Sequence, residues 1–400
     1  MNCPICSNQS TTTLLKFNDF PYFTVPLSKD TKNRLLKNNN IKRTELLEVK
    51  MCSSCCHCFL GTLPDDKTLS TLYADYSSYP SPLLNNFEPE RDIKFLDIFN
   101  NNIEQYCKKN NLNSILEVAC FDGYVLYHLQ RSGFEVMGCD PSEGADIGKK
   151  FGVNIIRDFF DADNFIKQNQ FFDIVISRHF LEHVVTPKKL INDFKKVLNP
   201  GGVLILEVPN VQFFIDRGLM DVFSLEHIQA FSAESISYLL SEADMDIVNI
   251  NEINDNIIAV ATIENKNKLK IKSTNIDINN YSNKLESNIK KINDICFSFY
   301  EQKKKISLWG AGSSGSTALS FYRIPVNFID SIIDSDQQKW GMEYLSHSIP
   351  IISPKEAKEK NPDLIIITSM YSQTIQKTIK EMGIKSSLLT IYPTVFFERA

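Results

Sequence analysis

The chain has 400 residues, 43% apolar and 11% aromatic, an ordinary globular composition whose length exceeds what one core usually supports, so two or three domains are expected. Its 43 basic residues against 48 acidic ones leave a net charge of -5 with no basic stripe, which speaks against a nucleic-acid partner. The opening MNCPICSNQS lacks the basic and then apolar pattern of a signal, and no apolar run approaches ~18 residues, so a soluble cytoplasmic protein without a membrane segment is expected.

The first informative element is a cysteine pattern. In a cytosolic chain, ten cysteines read as ligands or buried thiols rather than disulfides. Cys3-Pro-Ile-Cys6 and Cys52-Ser-Ser-Cys55 form two CxxC knuckles, each able to turn two thiolates toward one tetrahedral ion. The expectation is a structural Zn2+ held by Cys3, Cys6, Cys52 and Cys55 in a module spanning 1–62, with Cys56, His57 and Cys58 leaving the last ligand open. Four thiolates leave no open coordination position, so the metal supplies folding energy to a small loop-rich unit. A redox role is the weaker reading, because no thioredoxin-like βαβ pattern surrounds either knuckle.

The second module, 63–265, is carried by the run ILEVACFDGYVLYHLQRSGFEVMGCDPS from Ile115 to Ser142. A short apolar strand, Ile115 to Ala119, leads through Asp122-Gly123 into a helix whose apolar face is Val125, Leu126 and Leu129. A second strand, Glu135 to Cys139, ends at Asp140, placed to accept both hydroxyls of a ribose. The glycine series is poor: Ala119 and Phe121 stand where glycines are usual and only Gly123 remains, so a ligand with a ribose but no pyrophosphate fits better. Phe172 to Ser177 is another apolar strand, and VLNPGGVLILEVP, Val197 to Pro209, gives a helix end, a Pro-Gly-Gly turn and a buried strand.

In this order of motifs the chain resembles the class I S-adenosylmethionine-dependent methyltransferases. The resemblance implies that Glu117, Phe121 and Gly123 border the methionine part of the cofactor, with Asp122 in the same turn, and that Asp140 holds the ribose with Pro141 beside it. It further places Asp158 or Phe159 near the adenine, and Ser177 and His179 on the cofactor wall.

From Ala261 to Lys284 the chain is rich in Asn and Lys, which marks a polar linker, set at 266–290, before a last domain at 291–400. Tyr281, Leu285, Ile289, Ile292, Cys296 and Phe299 recur at helical spacing and predict a connecting helix. A strand, Ile306 to Trp309, then enters Gly310-Ala-Gly312-Ser-Ser-Gly315, followed by a helix to about Arg323, a strand from Val326 to Ile329, and Asp330 and Asp334. This glycine context is complete, and Gly310, Gly312, Gly315 and Asp334 are candidates for binding the diphosphate of a nucleotide-linked substrate. A structural role, with the glycines serving helix packing, is the alternative. The fold class expected is α/β: a Rossmann-like core, a small metal module in front and a second Rossmann-like unit behind.

Two knuckles, a methyltransferase core and a terminal Rossmann-like unit in this order resemble the sugar C-methyltransferases, with LYADYSSYPSPL, RHFLEHV, EVPN, SLEHIQAFS, WGAGSSG and HSIPIISP as local marks. The resemblance implies a nucleotide-linked deoxy-keto sugar as the small-molecule substrate. A base would remove a proton beside the ketone, and the resulting enolate would take the methyl group. It implies His227 as that base with Glu226 orienting it, His183 as a second active-site histidine, and Tyr76 or Tyr79 as a tyrosine contributed from before the core. His179 and Glu182 read as loop and cofactor-wall residues. Where that family often has a tyrosine and a second polar residue before Glu-His, this chain has Ser224 and Leu225. Either other donors hold the enolate, or His227 deprotonates a hydroxyl in an O-methyl transfer. A scaffold that keeps a decayed cofactor fold is a third reading, opposed by the presence of Glu117, Gly123, Asp140 and His227.

Overall fold

The computed structural model describes residues 2–37, 44–64, 81–103, 107, 109–263 and 276–399. Tyr76 and Tyr79 lie outside the described residues.

In the amino-terminal unit, β1 (Thr11–Pro21), β2 (Thr44–Cys52) and β3 (Cys58–Leu60) form an antiparallel sheet. The core alternates strands and helices: β4 (Ser114–Val118), β5 (Glu135–Cys139), β6 (Ile155–Ile156), β7 (Phe172–Arg178) and β8 (Leu198–Pro209). After β8 the chain leaves the core sheet, and β9 (Gln229–Ala230) pairs with β3, so the amino-terminal sheet is completed by a strand from the core. β10 (Asp246–Ile253) and β11 (Asn256–Thr262) then return as an antiparallel edge.

Among the described residues the core sheet runs β10-β11-β8-β7-β4-β5-β6. The chain moves outward from β4 to β6 and then restarts on the other side of β4, so the strand order reverses between β4 and β7. Ligands of open α/β sheets bind outside the carboxyl ends of the strands at such a reversal. The helix Tyr124–Arg131 buries Val125, Leu126 and Leu129 against the sheet, the face its spacing predicts.

The helix Ile278–Glu301 begins inside the stretch read as linker, with Asp277 capping it by accepting from the Asn280 amide at 3.0 Å. All six positions from Tyr281 to Phe299 named above are buried on it. Beyond it lie β12 (Ile306–Trp309), β13 (Ser331–Ile333), β14 (Ile351–Ile352), β15 (Leu364–Ile367), β16 (Ser387–Thr390) and β17 (Phe396–Glu398). Their order is β14-β13-β12-β15-β16-β17, with the same reversal beside the first strand. The strand expected at Val326 to Ile329 is instead a turn of 3-10 helix over Val326–Phe328. Pro325 precedes it, and Asp330 accepts the Ile306 amide at 2.8 Å, so the chain enters the sheet only at Ser331.

The amino-terminal unit touches both larger bodies. Phe17 and Phe20 of β1 pack on Phe321, with ring centroids at 5.4 and 5.1 Å, and Lys32 meets Glu343 at 2.7 Å. Its cysteine end, with Ile5 and Phe59, shares a core with Phe231, Ile236 and Leu239, which follow β9.

Gly315 owes its identity to packing: a Cβ there would lie 2.1 Å from the Gly310 carbonyl oxygen, whereas one on Gly312 meets nothing within 4 Å. Gly315→Ala is expected to lose about 1–3 kcal/mol. A urea titration checks this, and a midpoint unchanged from the parent would contradict it.

Candidate active site and metal knot

The loop from Ala119 to Gly123 follows β4 and is held in an unusual shape: Ala119, Phe121 and Gly123 take φ of 62°, 51° and 71°. Asp140, at the end of β5, braces it. Its Oδ2 accepts the Phe121 amide at 2.8 Å and its Oδ1 accepts the Ser142 amide at 2.8 Å. Asp122 points away from the loop opening: Oδ2 accepts from the Ser81 hydroxyl at 2.6 Å and the Leu83 amide at 3.0 Å, and Oδ1 from the Tyr124 amide at 3.1 Å. Asp122 is thus occupied in tying the segment before the core to the loop. Gly123 precedes the helix and packs against Ile155, while Pro141 is exposed beside Asp140.

Asp158 and the exposed Phe159 line a cavity of about 230 Å³ with Cys139, Ile156, Asn164 and Phe165, roomy enough for a purine base. The cavity adjoins the ends of β5 and β6.

Deep between β4, β7 and β8 sits a charge cluster that the sequence did not disclose. Arg178 is buried at the end of β7 with its guanidinium 4.3 Å over the Phe95 ring. Its Nε donates to Glu207 Oε2 at 2.7 Å, its Nη2 to Asp92 Oδ1 at 2.7 Å, and its Nη1 lies 3.7 Å from Glu117 Oε1. Burial alone would raise Glu207, but Arg178 and then His179 outweigh it and hold the carboxyl at about 2. Glu117 goes the other way: burial pushes it up to about 8, and Arg178 offsets only part of that. Glu117 Oε2 and the hydroxyl of neighbouring Ser177 are buried without a hydrogen-bond partner among the described residues. Unsatisfied polar atoms at the mouth of a strand reversal fit a polar ligand such as the amino-acid end of S-adenosylmethionine.

His179 takes a positive φ of 47° and stands 3.6 Å from both Glu182 and Glu207. The 3-10 turn Leu181–His183 then brings Glu182 and His183 to His227. The two histidine rings meet edge to face with centroids 5.0 Å apart. His183 Nδ1 bonds the Glu226 carbonyl oxygen at 3.0 Å, and burial followed by the charge of His227 lowers His183 to about 4, so it is neutral. His227 Nδ1 bonds the Val222 carbonyl at 2.7 Å, which fixes the ring and leaves Nε2 as its basic nitrogen. Val222 thus holds the His227 ring, and the Glu226 main chain holds His183. Burial would raise Glu182, but the bond to His179 and the fields of His183 and His227 bring it down to about 2. Glu182, His183 and His227 bring donor atoms within 4.8 Å of one another, a spacing also compatible with a divalent cation.

The four knuckle thiols converge, with Cys3 Sγ 3.6 Å from Cys55 Sγ, Cys6 Sγ 3.4 Å from Cys52 Sγ, and all four within 4.8 Å. A tetrahedral zinc with sulfurs at ~2.3 Å would hold them ~3.8 Å apart, so the set fits that ion. His57 is not part of it. Its Nε2 donates to Gln229 Oε1 at 2.8 Å, and its ring packs on Phe59 and Phe231. Cys58 faces the Cys56 carbonyl at 3.9 Å.

In the last domain Asp334 repeats the Asp140 device: Oδ2 accepts the Ala311 amide at 2.7 Å and Oδ1 the Asp336 amide at 2.8 Å. Lys339 adds a contact to it at 3.3 Å. Gly310 takes φ of 119° at the turn, and the Gly312 carbonyl accepts from the Tyr344 hydroxyl at 2.8 Å.

The family described as Methyltransferase domain matches residues 89–250. Residues 89–250 are therefore similar to methyltransferase domains. The C-methyltransferase C-terminal domain matches 241–387. A ubiquinone biosynthesis O-methyltransferase of Rhizobium etli is 27% identical over 120 residues, 28% of this chain and 47% of that protein. One of Coxiella burnetii is 32% identical over 104 residues, 25% of this chain and 44% of that protein. The chain thus spans about half the length of these curated relatives. A methyltransferase structure from Clostridium acetobutylicum overlays on 48% of this chain and 99% of that one, at 14% identity and a TM-score of 0.36.

The Glu117 carboxyl gives a stability test without any ligand. Its pKa in the fold, about 8, lies above the ordinary 4.5, so the native state binds the extra proton between those values. Its contribution is complete below the lower value and is lost as pH rises through the upper one. Glu117→Gln should therefore gain stability relative to the parent from about pH 5 to pH 8, by up to about 1.4 kcal/mol per unit. Urea unfolding at several pH values measures this, and a constant difference would refute it.

Proposed function

We propose that the protein is an S-adenosylmethionine-dependent methyltransferase that methylates a carbon next to a ketone, on a nucleotide-linked deoxy-keto sugar. The observation that carries the reading is the pair His183–His227 over the ionised Glu182, in a chain whose last part matches a C-methyltransferase domain. The cofactor, when bound, supplies a methyl group on a sulfonium leaving group. Asp140 suits its ribose, the cavity by Phe159 its adenine, and Glu117 its amino-acid end.

The chain's own residues supply the proton chemistry. His227, its Nδ1 committed to Val222, takes the proton from the substrate carbon at Nε2. The imidazolium so formed lies beside the Glu182 carboxylate, whose negative charge stabilises it. His183, neutral, spends its Nδ1 proton on the Glu226 carbonyl and presents Nε2 as an acceptor, suited to take a hydrogen bond from a hydroxyl of the substrate. Ser224, which with Leu225 precedes Glu226-His227, accepts the His227 amide at its hydroxyl oxygen at 3.1 Å and so helps to place that residue. The nucleotide part would use the turn at Gly310 and Gly312 with Asp334, while Gly315 serves packing. Tyr76 and Tyr79 stay candidates for the acceptor site. Cys3, Cys6, Cys52 and Cys55 would hold a structural Zn2+.

A second reading has its own support. The curated relatives are named O-methyltransferases, and His227 could equally take a proton from a hydroxyl. Incubation of a nucleotide-linked keto sugar in heavy water separates the two: His227-dependent exchange of a carbon-bound proton is expected, and methyl transfer without exchange would favour the oxygen. His227→Asn should lower kcat by about 10²–10⁴ while leaving cofactor affinity near the parent value; a loss under threefold would remove His227 as the base.

For the metal, elemental analysis is expected to find one zinc per chain. Cys52→Ser should lose it and loosen the amino-terminal sheet, seen as faster amide exchange. Retention of both metal and protection would refute the assignment.

A further inference from the structure

Asp92, Glu117 and Glu207 converge on the single guanidinium of Arg178, all four side chains buried. Glu207 and Asp92 take the short bonds at 2.7 Å, and Glu207 also faces His179. His179 in turn serves Glu182. Glu117 is left over: its one cationic neighbour is Arg178 at 3.7 Å, and its Oε2 has no partner among the described residues. The groups whose charges bear on it are Arg178 from β7, Asp92 from the helix Glu90–Ile98, Glu207 from β8 and Asp122 from the loop after β4. Glu117 is thus the carboxyl of the cluster without a close cationic partner, and it stands at the end of β4, where the loop opens.

We propose that Glu117 exchanges its proton for the ammonium of the methyl donor, so that cofactor binding releases one proton to solvent. The inference rests on the reading that the loop after β4 receives S-adenosylmethionine by its amino-acid end. Without ligand, burial holds Glu117 up at about 8, and at neutral pH the carboxyl carries its proton. An ammonium at Oε2 supplies the close cationic partner and the missing hydrogen bond together. The balance is simple: a neutral carboxyl and an ammonium become a carboxylate–ammonium pair, and one proton goes to buffer. Arg178 acts as a positioning residue, since it fixes how much positive charge is already present.

The test is isothermal titration of the full chain with S-adenosylmethionine at about pH 7 in two buffers of very different ionisation enthalpy. The difference in heat counts protons, and roughly one per cofactor is expected. Between about pH 6 and pH 7 the affinity should rise roughly tenfold. Glu117→Gln should bind with no proton released and a flat profile. 5′-Methylthioadenosine, which keeps the nucleoside and lacks the amino-acid end, should bind the unaltered protein with no proton released, so the test stands even if the variant misfolds. Binding of S-adenosylmethionine without proton release would overturn the proposal and leave the methyl-donor reading intact. Release that persists in Glu117→Gln, or equal release with methylthioadenosine, would overturn it too. Failure to bind S-adenosylmethionine at all would overturn the methyl-donor reading itself, and this proposal with it.

Discussion

Burying Arg178 at the strand reversal is the constraint from which the rest of the site follows. A guanidinium taken out of water is tolerated only with charged partners in good geometry, and here they come from three different parts of the chain. Asp92 draws in the helix ahead of the core, Glu117 fixes the end of β4, and Glu207 fixes β8. His179 is held through Glu207, and the turn that places Glu182 and His183 begins from it. One side chain therefore relates the loop after β4 to the paired histidines. Removing it would leave the Asp92 and Glu207 carboxylates and the Glu117 carboxyl facing one another in a region of low dielectric.

The amino-terminal knot reaches the same place by another route. β3 pairs with β9, two residues beyond His227, and His57 bonds Gln229, whose amide nitrogen donates to the Val184 carbonyl at 2.9 Å. The second knuckle thus grips both chain segments that carry the paired histidines. From the last domain, the Tyr322 hydroxyl donates to Asp221 at 3.1 Å, next to the Val222 carbonyl that orients His227. Each such bond contributes about 1 kcal/mol. Their larger effect is geometric, because they set where the His227 ring stands.

What the sequence disclosed was whatever depends on local pattern. Helix faces such as Val125, Leu126 and Leu129 are legible because burial repeats every three or four residues, and the knuckles because two thiols at CxxC spacing have few other uses. The strand set at Val326 to Ile329 was misplaced because a short apolar run does not say where the sheet begins, and Pro325 and Asp330 decide that by tertiary contacts. Arg178 was invisible for a related reason. In RHFLEHV it looks like any surface arginine after a strand, and only the convergence of Asp92, 86 residues earlier, and Glu207, 29 later, gives it meaning. The main-chain oxygen of Val222 that holds the His227 ring was hidden in the same way, because no side-chain pattern marks a carbonyl as a partner.

The two Rossmann-like units show that a glycine count measures the wrong thing. Both end their second strand in an aspartate that accepts one amide from the loop after the first strand and another two residues ahead of itself. In the last domain the turn is made by Gly310 at φ 119°, at little steric cost. In the core, Ala119 and Phe121 adopt left-handed backbone that costs each side chain roughly 1–2 kcal/mol. That cost is met by the Asp140 and Asp122 carboxylates, which together accept three amides of the loop and its neighbours besides the Ser142 amide. Strain that persists only because its surroundings enforce it is concentrated where ligands bind. The absence of glycines from the core loop is then a sign of a tightly specified binding surface, and Phe121, held against Gly144 by that backbone, becomes a wall that a glycine could not supply.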